Sequence, residues 1–109
     1  MKTTKITYPN PNEPYNKELL LENNQGITTT LGTVFLKKGT RIPESGFSKH
    51  PFNEVSIITK GCIEILQEDE SIQGYLKAGD AIYINAMEAQ AGNVLEDTTL
   101  IYVLNERNQ

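Results

Sequence analysis

The residues of this 109-residue chain whose types and spacing could do chemistry lie between Gly39 and Gly61, in the segment GTRIPESGFSKHPFNEVSIITKG. This segment contains the only histidine of the chain, His50, followed four residues later by Glu54. Imidazole is the side chain whose unperturbed pKa lies closest to neutrality, and it is also the commonest protein ligand for metals. A histidine beside a carboxylate could therefore bind a metal ion, bind a polar molecule or move a proton.

The spacing of His50 and Glu54 predicts a bend between them. On one straight strand their side chains would share a face but lie about 13 Å apart, too far to contact one ion or ligand atom. Pro51 cannot donate to a central strand ladder, and Asn53 tolerates turn geometry. We therefore expect the chain to bend between the two residues, which lets both side chains converge on one pocket.

The elements that must position these residues are short strands. β-Branched and aromatic residues dominate segments that are separated by glycines and polar turns, and no segment has the period of a three-turn amphipathic helix. This pattern predicts an all-β sandwich or barrel. The predicted strands are 28–36, 55–59, 62–67, 74–76, 81–84 and 99–104, with an apolar cluster at 19–21 and turns at 23–26 and 68–71.

The chain is predicted to form one domain behind an N-terminal arm. Residues 1–16 contain Pro9, Pro11 and Pro14 among asparagines, which disfavours helix and indicates an extended arm. Residues 17–109 then form a single domain, because a chain of this length builds one core. Two interpretations of the arm stay open, a frayed terminus and a strand added to the sheet of a partner.

Composition excludes several functions. Fourteen acidic against ten basic residues give a net charge of −4, so we expect neither nucleic acid nor an anionic membrane as a partner. Cys62 is the only cysteine, so an internal disulfide cannot form, and a reducing, cytoplasmic setting is expected. The longest apolar runs span about five residues, too short for a signal peptide or a membrane span. Lys37, Lys38 and Arg41 are interpreted as a solvent-facing strand end.

The segment around His50 resembles the first motif of the cupin family. In that motif two histidines one residue apart are followed after three or four residues by glutamate, and after six more by glycine. His50, Glu54 and Gly61 stand at matching positions with the family's spacing, while Ser48 stands where the first histidine would be.

The segment after residue 78 is similar to the beginning of the second cupin motif. Gly79 and Asp80 match its turn into a strand, whereas Gln90 stands at the histidine position. The other substitutions are Asn85 at proline, Met87 at glycine and Val94 at asparagine. The resemblance covers residues 35–104 and implies an all-β single-domain cupin barrel, a double-stranded β-helix of jelly-roll type, often dimeric.

The resemblance implies that Ser48, His50, Glu54 and Gln90 stand at the four positions where many cupins hold iron, manganese, nickel or zinc. A serine hydroxyl and a glutamine amide are weak, neutral donors toward such ions. We therefore expect no cofactor, or at most a weakly bound divalent metal. Tyr83 is a further candidate at the mouth of the pocket, with packing in the core or at a sheet edge as the alternative.

Three functions are consistent with this sequence. The first is a metal-free pocket that binds a small polar organic molecule through Ser48, His50, Glu54 and Gln90, with proton transfer by a His50–Glu54 pair as a catalytic variant. The second is a metal-dependent enzyme of dioxygenase, isomerase or lyase type that uses His50, Glu54 and Gln90. The third is a structural or interaction protein without an active pocket. The first function, a metal-free binding pocket, is preferred, and we expect the protein to be a homodimer.

Overall fold

The computed structural model describes residues 1–108, and within this range all regular structure is β-strand. Over the same range, no helix is long and apolar enough to cross a lipid bilayer. The strands are β1 (Asn16–Asn24), β2 (Ile27–Leu36), β3 (Arg41–Ile42), β4 (Asn53–Lys60), β5 (Cys62–Leu66), β6 (Ile72–Lys77), β7 (Ala81–Ile84), β8 (Gly92–Val94) and β9 (Thr98–Arg107).

Two antiparallel sheets face each other. The larger has the order β1-β2-β9-β4-β7 and the smaller the order β3-β8-β5-β6. The edge strands are β1 and β7 in the larger sheet and β3 and β6 in the smaller one. The predicted all-β, jelly-roll-like fold is confirmed.

Strand β1 was not predicted, although its turn was. The turn lies at Gln25 and Gly26, whose φ angles of 54° and 77° are the two positive values that a type I′ hairpin requires. The pairing of β1 with β2 shifts register between Glu18 and Leu20. Such a bulge adds a residue to one strand and interrupts the alternation of its side chains, so the three leucines resemble an apolar cluster rather than a strand.

The core lies between the sheets, where inward-facing residues of β2, β4 and β9 meet those of β5 and β8. Ile58 and Val94, each 1% exposed, are at its centre. The remaining buried members of this cluster are Val34, Leu36, Ile63, Leu100 and Tyr102. On β4, the residues before Ile58 that share its inward face are Ser56 and Glu54, because side chains alternate along a strand. Near Glu54 the apolar core therefore gives way to a cavity with polar residues in its wall.

The N-terminal arm lies against the larger sheet of its own chain. Thr33 is fully buried, and its hydroxyl donates to the carbonyl of Thr7 at 2.6 Å. The phenol of Tyr8 donates to the hydroxyl of Thr59 at 3.1 Å, and Lys2 forms an ion pair with Glu22. Thr33 precedes inward-facing Val34, so the arm covers the outer face of the sheet.

Candidate functional site

A cavity of about 640 Å³ lies between the two sheets, near the start of β4. This volume is within the range of about 300–1,000 Å³ that small-molecule sites occupy. Much of its wall is apolar and comes from both sheets and from the segment after β3, including Val34, Leu36, Ile42, Pro43, Leu100 and Leu104. Ser48, His50, Glu54 and Gln90 line the same cavity, so the structure brings these four sequence candidates together.

Ser48 and Gln90 are held opposite each other by an isolated antiparallel bridge. The main-chain N–H of each residue donates to the carbonyl of the other, both at 2.9 Å. Directly opposed residues of an antiparallel pair direct their side chains to the same side. The serine hydroxyl and the glutamine amide therefore reach the cavity as neighbours.

His50 is positioned by a bend and by an aromatic neighbour. Residues 51–52 form the predicted bend, and β4 begins immediately afterwards at Asn53. The imidazole stacks on the ring of Phe52, with ring centroids 4.9 Å apart and planes inclined by 8°. The carbonyl of His50 accepts a hydrogen bond from the N–H of Met87 at 2.6 Å. These contacts hold the half-buried imidazole at the cavity wall.

Glu54 lies on the inward face of β4 and accepts a hydrogen bond from the hydroxyl of Ser56 at 2.6 Å. The two residues are two apart on one strand and so share a face. Within residues 1–108, no direct hydrogen bond joins Glu54 to His50, although both line the cavity. Glu54 thus presents its carboxylate at the cavity wall, and the pair does not form the hydrogen-bonded couple that proton transfer between them would use.

Tyr83 lies apart from the other four candidates. It pairs with Val55 across β7 and β4, whereas the inward-facing Glu54 pairs with Ile84. This register places the phenol on the outer face of the larger sheet, and the residue is 55% exposed. Tyr83 borders a second, smaller cavity and not the one that contains His50.

Tyr102 is a cavity residue that the sequence did not single out. Its phenol donates to the side-chain oxygen of Asn16 at 2.5 Å. Burial raises the pKa of Tyr102; the hydrogen bond to Asn16 opposes this, and the carboxylates of Glu18 and Glu54 reinforce it. The ring lies over Gly32, where a Cβ atom would be 2.2 Å from it. The apolar alternation of β9 could have identified Tyr102 as inward-facing.

Arg41 organises the loop that carries Ser48. One terminal nitrogen donates to the carbonyls of Pro43 and Gly46, at 2.8 and 2.9 Å. The other contacts both carboxylate oxygens of Glu70, at 3.0 and 3.1 Å. The side chain is only 22% exposed, so its interpretation as part of a solvent-facing strand end was wrong. Because both terminal nitrogens are engaged, Arg41 has few hydrogen-bond donors left to direct into the cavity.

The donor set around the cavity does not fit a tight transition-metal site. Such sites use three or four imidazole, thiolate or carboxylate ligands, and among the four candidate residues only His50 and Glu54 belong to that class. Ser48 and Gln90 supply neutral oxygen and amide groups. Among residues 1–108, no three histidine, cysteine, aspartate or glutamate side chains are grouped so that they could hold a metal ion.

Comparison with known proteins places the fold. No protein-family model matches the sequence, and no curated protein matches it either. An RmlC-like cupin family protein from Methanocaldococcus jannaschii, with a double-stranded β-helix fold, is similar in structure. Its TM-score is 0.67 at 15% identity, over 99% of this chain and 91% of that one.

Two further solved structures are similar. A conserved protein of unknown function from Streptococcus pyogenes gives a TM-score of 0.61 at 20% identity, over 86% of this chain and 75% of the other. The DMSP lyase DddQ from Ruegeria pomeroyi gives a TM-score of 0.56 at 22% identity, over 72% of this chain but only 38% of the lyase. At these identities the similarity establishes the fold, and this chain is a small domain with the double-stranded β-helix fold of the cupins.

Proposed function

We propose that this protein binds a small polar organic molecule in the larger cavity, without a tightly bound metal. The observation that carries the proposal is the convergence of Ser48, His50, Glu54 and Gln90 on one largely apolar cavity of about 640 Å³. A few polar groups set in an apolar wall are typical of small-molecule sites. Together these four side chains offer hydrogen-bond donors and acceptors to a ligand, with one carboxylate among them.

The polar groups are held in place before a ligand arrives. The main-chain bridge fixes Ser48 and Gln90, the hydroxyl of Ser56 orients Glu54, and Phe52 supports the imidazole of His50. Binding to a preformed site loses less conformational entropy than binding to a mobile one. This preorganisation supports a binding role over a purely structural one.

A metal-dependent enzyme of dioxygenase, isomerase or lyase type is the second candidate. Its support is that His50 and Glu54, the two strong metal donors, border one cavity together with Gln90. One of the similar structures is that of a protein named as a lyase. Under this alternative a divalent ion bound by the three residues would be exchangeable, because Gln90 is a weak donor.

Two measurements on protein purified without an affinity tag or added metal test the proposal. The first is elemental analysis before and after dialysis against a chelator, and less than about 0.1 ion per chain is expected. The second is a screen of small polar molecules, such as polyols, amino alcohols and amino acids, by ligand-observed NMR in the presence of the chelator. One stoichiometric ion that survives dialysis would overturn the metal-free proposal.

Variants locate the binding site. His50→Ala and Gln90→Ala should each weaken a ligand found in the screen by about tenfold or more, the effect of losing one hydrogen bond worth about 1.4 kcal/mol. Lys49→Ala is the matched control, because Lys49 is exposed and does not line the cavity. Equal binding by His50→Ala and Lys49→Ala would show that the ligand lies elsewhere.

We also propose that the protein is a homodimer in a reducing, cytoplasmic compartment, without nucleic acid or a membrane as a partner. Ile57 and Tyr83, 43% and 55% exposed, share the outer face beside the free edge of β7. An exposed edge with apolar neighbours favours pairing with a second copy. Light scattering at micromolar concentration should give twice the mass of one chain, and the Tyr83→Lys variant should give the mass of one chain. A monomeric wild-type protein would refute the dimer.

A further inference from the structure

A second cavity of about 230 Å³ adjoins the first between the two sheets. Residues of β6 and β7, each an edge strand of its sheet, contribute to its wall. Most of its lining side chains are aliphatic, among them Ile58, Ile63, Ile65, Leu66, Leu76 and Ile82. The polar residues of its wall are Glu54, Ser56, Gln73, Glu88 and Gln90, so an apolar group fits against the aliphatic part of the wall.

The two cavities meet at residues that line both of them. Glu54 and Gln90 are the polar members of this shared wall, and Ile42 and Leu100 are the apolar ones. A ligand group held by Glu54 in the larger cavity is therefore adjacent to the smaller cavity. One molecule can occupy both cavities if it has a polar end and an apolar end.

The charged residues that line the larger cavity are three carboxylates, Glu13, Glu44 and Glu54, and two cations, Lys37 and Arg41, a balance that favours a polar end that donates hydrogen bonds. The carboxylate of Glu54 has one described hydrogen-bond partner, Ser56, and a carboxylate can accept several. The guanidinium of Arg41 is already engaged by main-chain carbonyls and Glu70. An ammonium or hydroxyl group would satisfy Glu54, whereas an anionic group would be repelled by it.

From these observations we infer that the ligand class is a small amphipathic molecule, with an ammonium- or hydroxyl-bearing head at Glu54 and Gln90 and a short aliphatic tail in the smaller cavity. The inference rests on the proposed binding function and adds the chemistry of the ligand. A volume of about 230 Å³ holds roughly seven groups of the size of a water molecule, at about 30 Å³ each. A tail of about four carbons fits within it.

A homologous series of 2-amino-1-alkanols, from aminopropanol to aminohexanol, tests the inference directly. The head group stays constant along the series while the tail grows from one carbon to four. Each buried methylene is expected to tighten binding about fourfold, so the longest member, with three more methylenes, should bind roughly 60-fold more tightly than the shortest. Dissociation constants are measured by NMR titration at pH 8. Equal affinity across the series, or no binding by any member, would overturn the inference.

Substitutions in the smaller cavity separate the tail site from the head site. Ala89→Leu adds volume at the wall of the smaller cavity. It should abolish most of the increase in affinity that the longer tails give, while the affinity for aminopropanol stays the same. Ile82→Ala removes part of the apolar wall and should also reduce the increase in affinity with tail length. This variant provides a second test if Ala89→Leu misfolds. Leu21→Ala is the matched control, since Leu21 is 52% exposed on β1, at the opposite edge of the larger sheet from β7, and lines neither cavity.

The outcomes distinguish this inference from the function on which it rests. Should the ligand screen find binding that depends on His50 but not on tail length, the binding function stands and the amphipathic class is wrong. A full gain from longer tails in Ala89→Leu would likewise refute the tail site. Tail-dependent binding that Leu21→Ala abolishes would place the tail outside the smaller cavity and overturn the inference.

Discussion

Replacing Gly32 with alanine tests the packing that holds Tyr102 in the cavity wall. A Cβ atom at residue 32 would lie 2.2 Å from Cζ and from the phenolic oxygen of Tyr102, and 2.5 Å from Cε2. The ring is 5% exposed and its hydroxyl is bound to Asn16, so it has little freedom to move aside. Gly32 does not have a positive φ, so alanine meets a steric obstacle rather than backbone strain.

The expected destabilisation follows from two contributions. Overpacking a close-packed interior costs about 1–3 kcal/mol. Displacing the ring also breaks the hydrogen bond to Asn16, which contributes about 0.5–1.5 kcal/mol. Gly32→Ala should therefore lower the free energy of unfolding by roughly 2–4 kcal/mol, a large fraction of the total stability of a small domain.

Urea unfolding followed by far-ultraviolet circular dichroism measures this change, and the chain contains no tryptophan to report it by fluorescence. Gly74→Ala is the matched control, because a Cβ there meets nothing within 4 Å, and its effect should stay within about 0.5 kcal/mol. In a Tyr102→Leu background the cost of Gly32→Ala should fall below about 1 kcal/mol. An equal cost in both backgrounds, or a Gly32→Ala variant as stable as the control, would refute the steric explanation.

Three further predictions concern Arg41, Tyr102 and Gly61. Arg41→Gln should speed amide hydrogen exchange in residues 43–48 and weaken ligand binding, because two loop carbonyls lose their donor; unchanged exchange would count against this role. Burial raises the pKa of Tyr102, so the neutral phenol stabilises the fold below its unfolded pKa of about 10, and this stability is lost as pH rises through the folded pKa. Between pH 9 and 11, the free energy of unfolding measured in urea should therefore fall less for Tyr102→Phe than for the wild type. Parallel pH profiles of the two proteins would contradict this. Gly61→Ala combines a φ of 98° with a Cβ only 2.5 Å from the carbonyl of Asp97, so it should lower the melting temperature by roughly 10 °C or more, and a shift under 3 °C would oppose it.

Much of the fold could be predicted because its signals are local. Strand β7 (Ala81–Ile84) matched its prediction at both ends, since glycine and polar residues delimit an apolar run. Strands β3 and β8, of two and three residues, are too short to display alternation. Their existence depends on pairing with each other and with β5, which only the assembled sheet provides.

Those residues of the candidate site whose positions follow from motif spacing alone could be predicted. Ser48 and Gln90, identified by their positions in two distant motifs, are directly opposed in the structure. The role of Tyr102 depends on Asn16, 86 residues away, and no local pattern reveals such a contact. The outward position of Tyr83 follows from the register of β7 against β4, which the sequence does not specify.

The central position of β9 in the larger sheet has a consequence for how the protein is made. This strand lies between β2 and β4, and it pairs Thr33 with Ile101, which are 68 residues apart in the sequence. Until residues 98–107 leave the ribosome, the β1–β2 hairpin and the β4–β7 pair remain two unconnected pieces with unpaired edges. The cavity between the sheets therefore cannot form at any earlier stage of synthesis, and a product truncated before residue 98 is expected to expose both edges and aggregate.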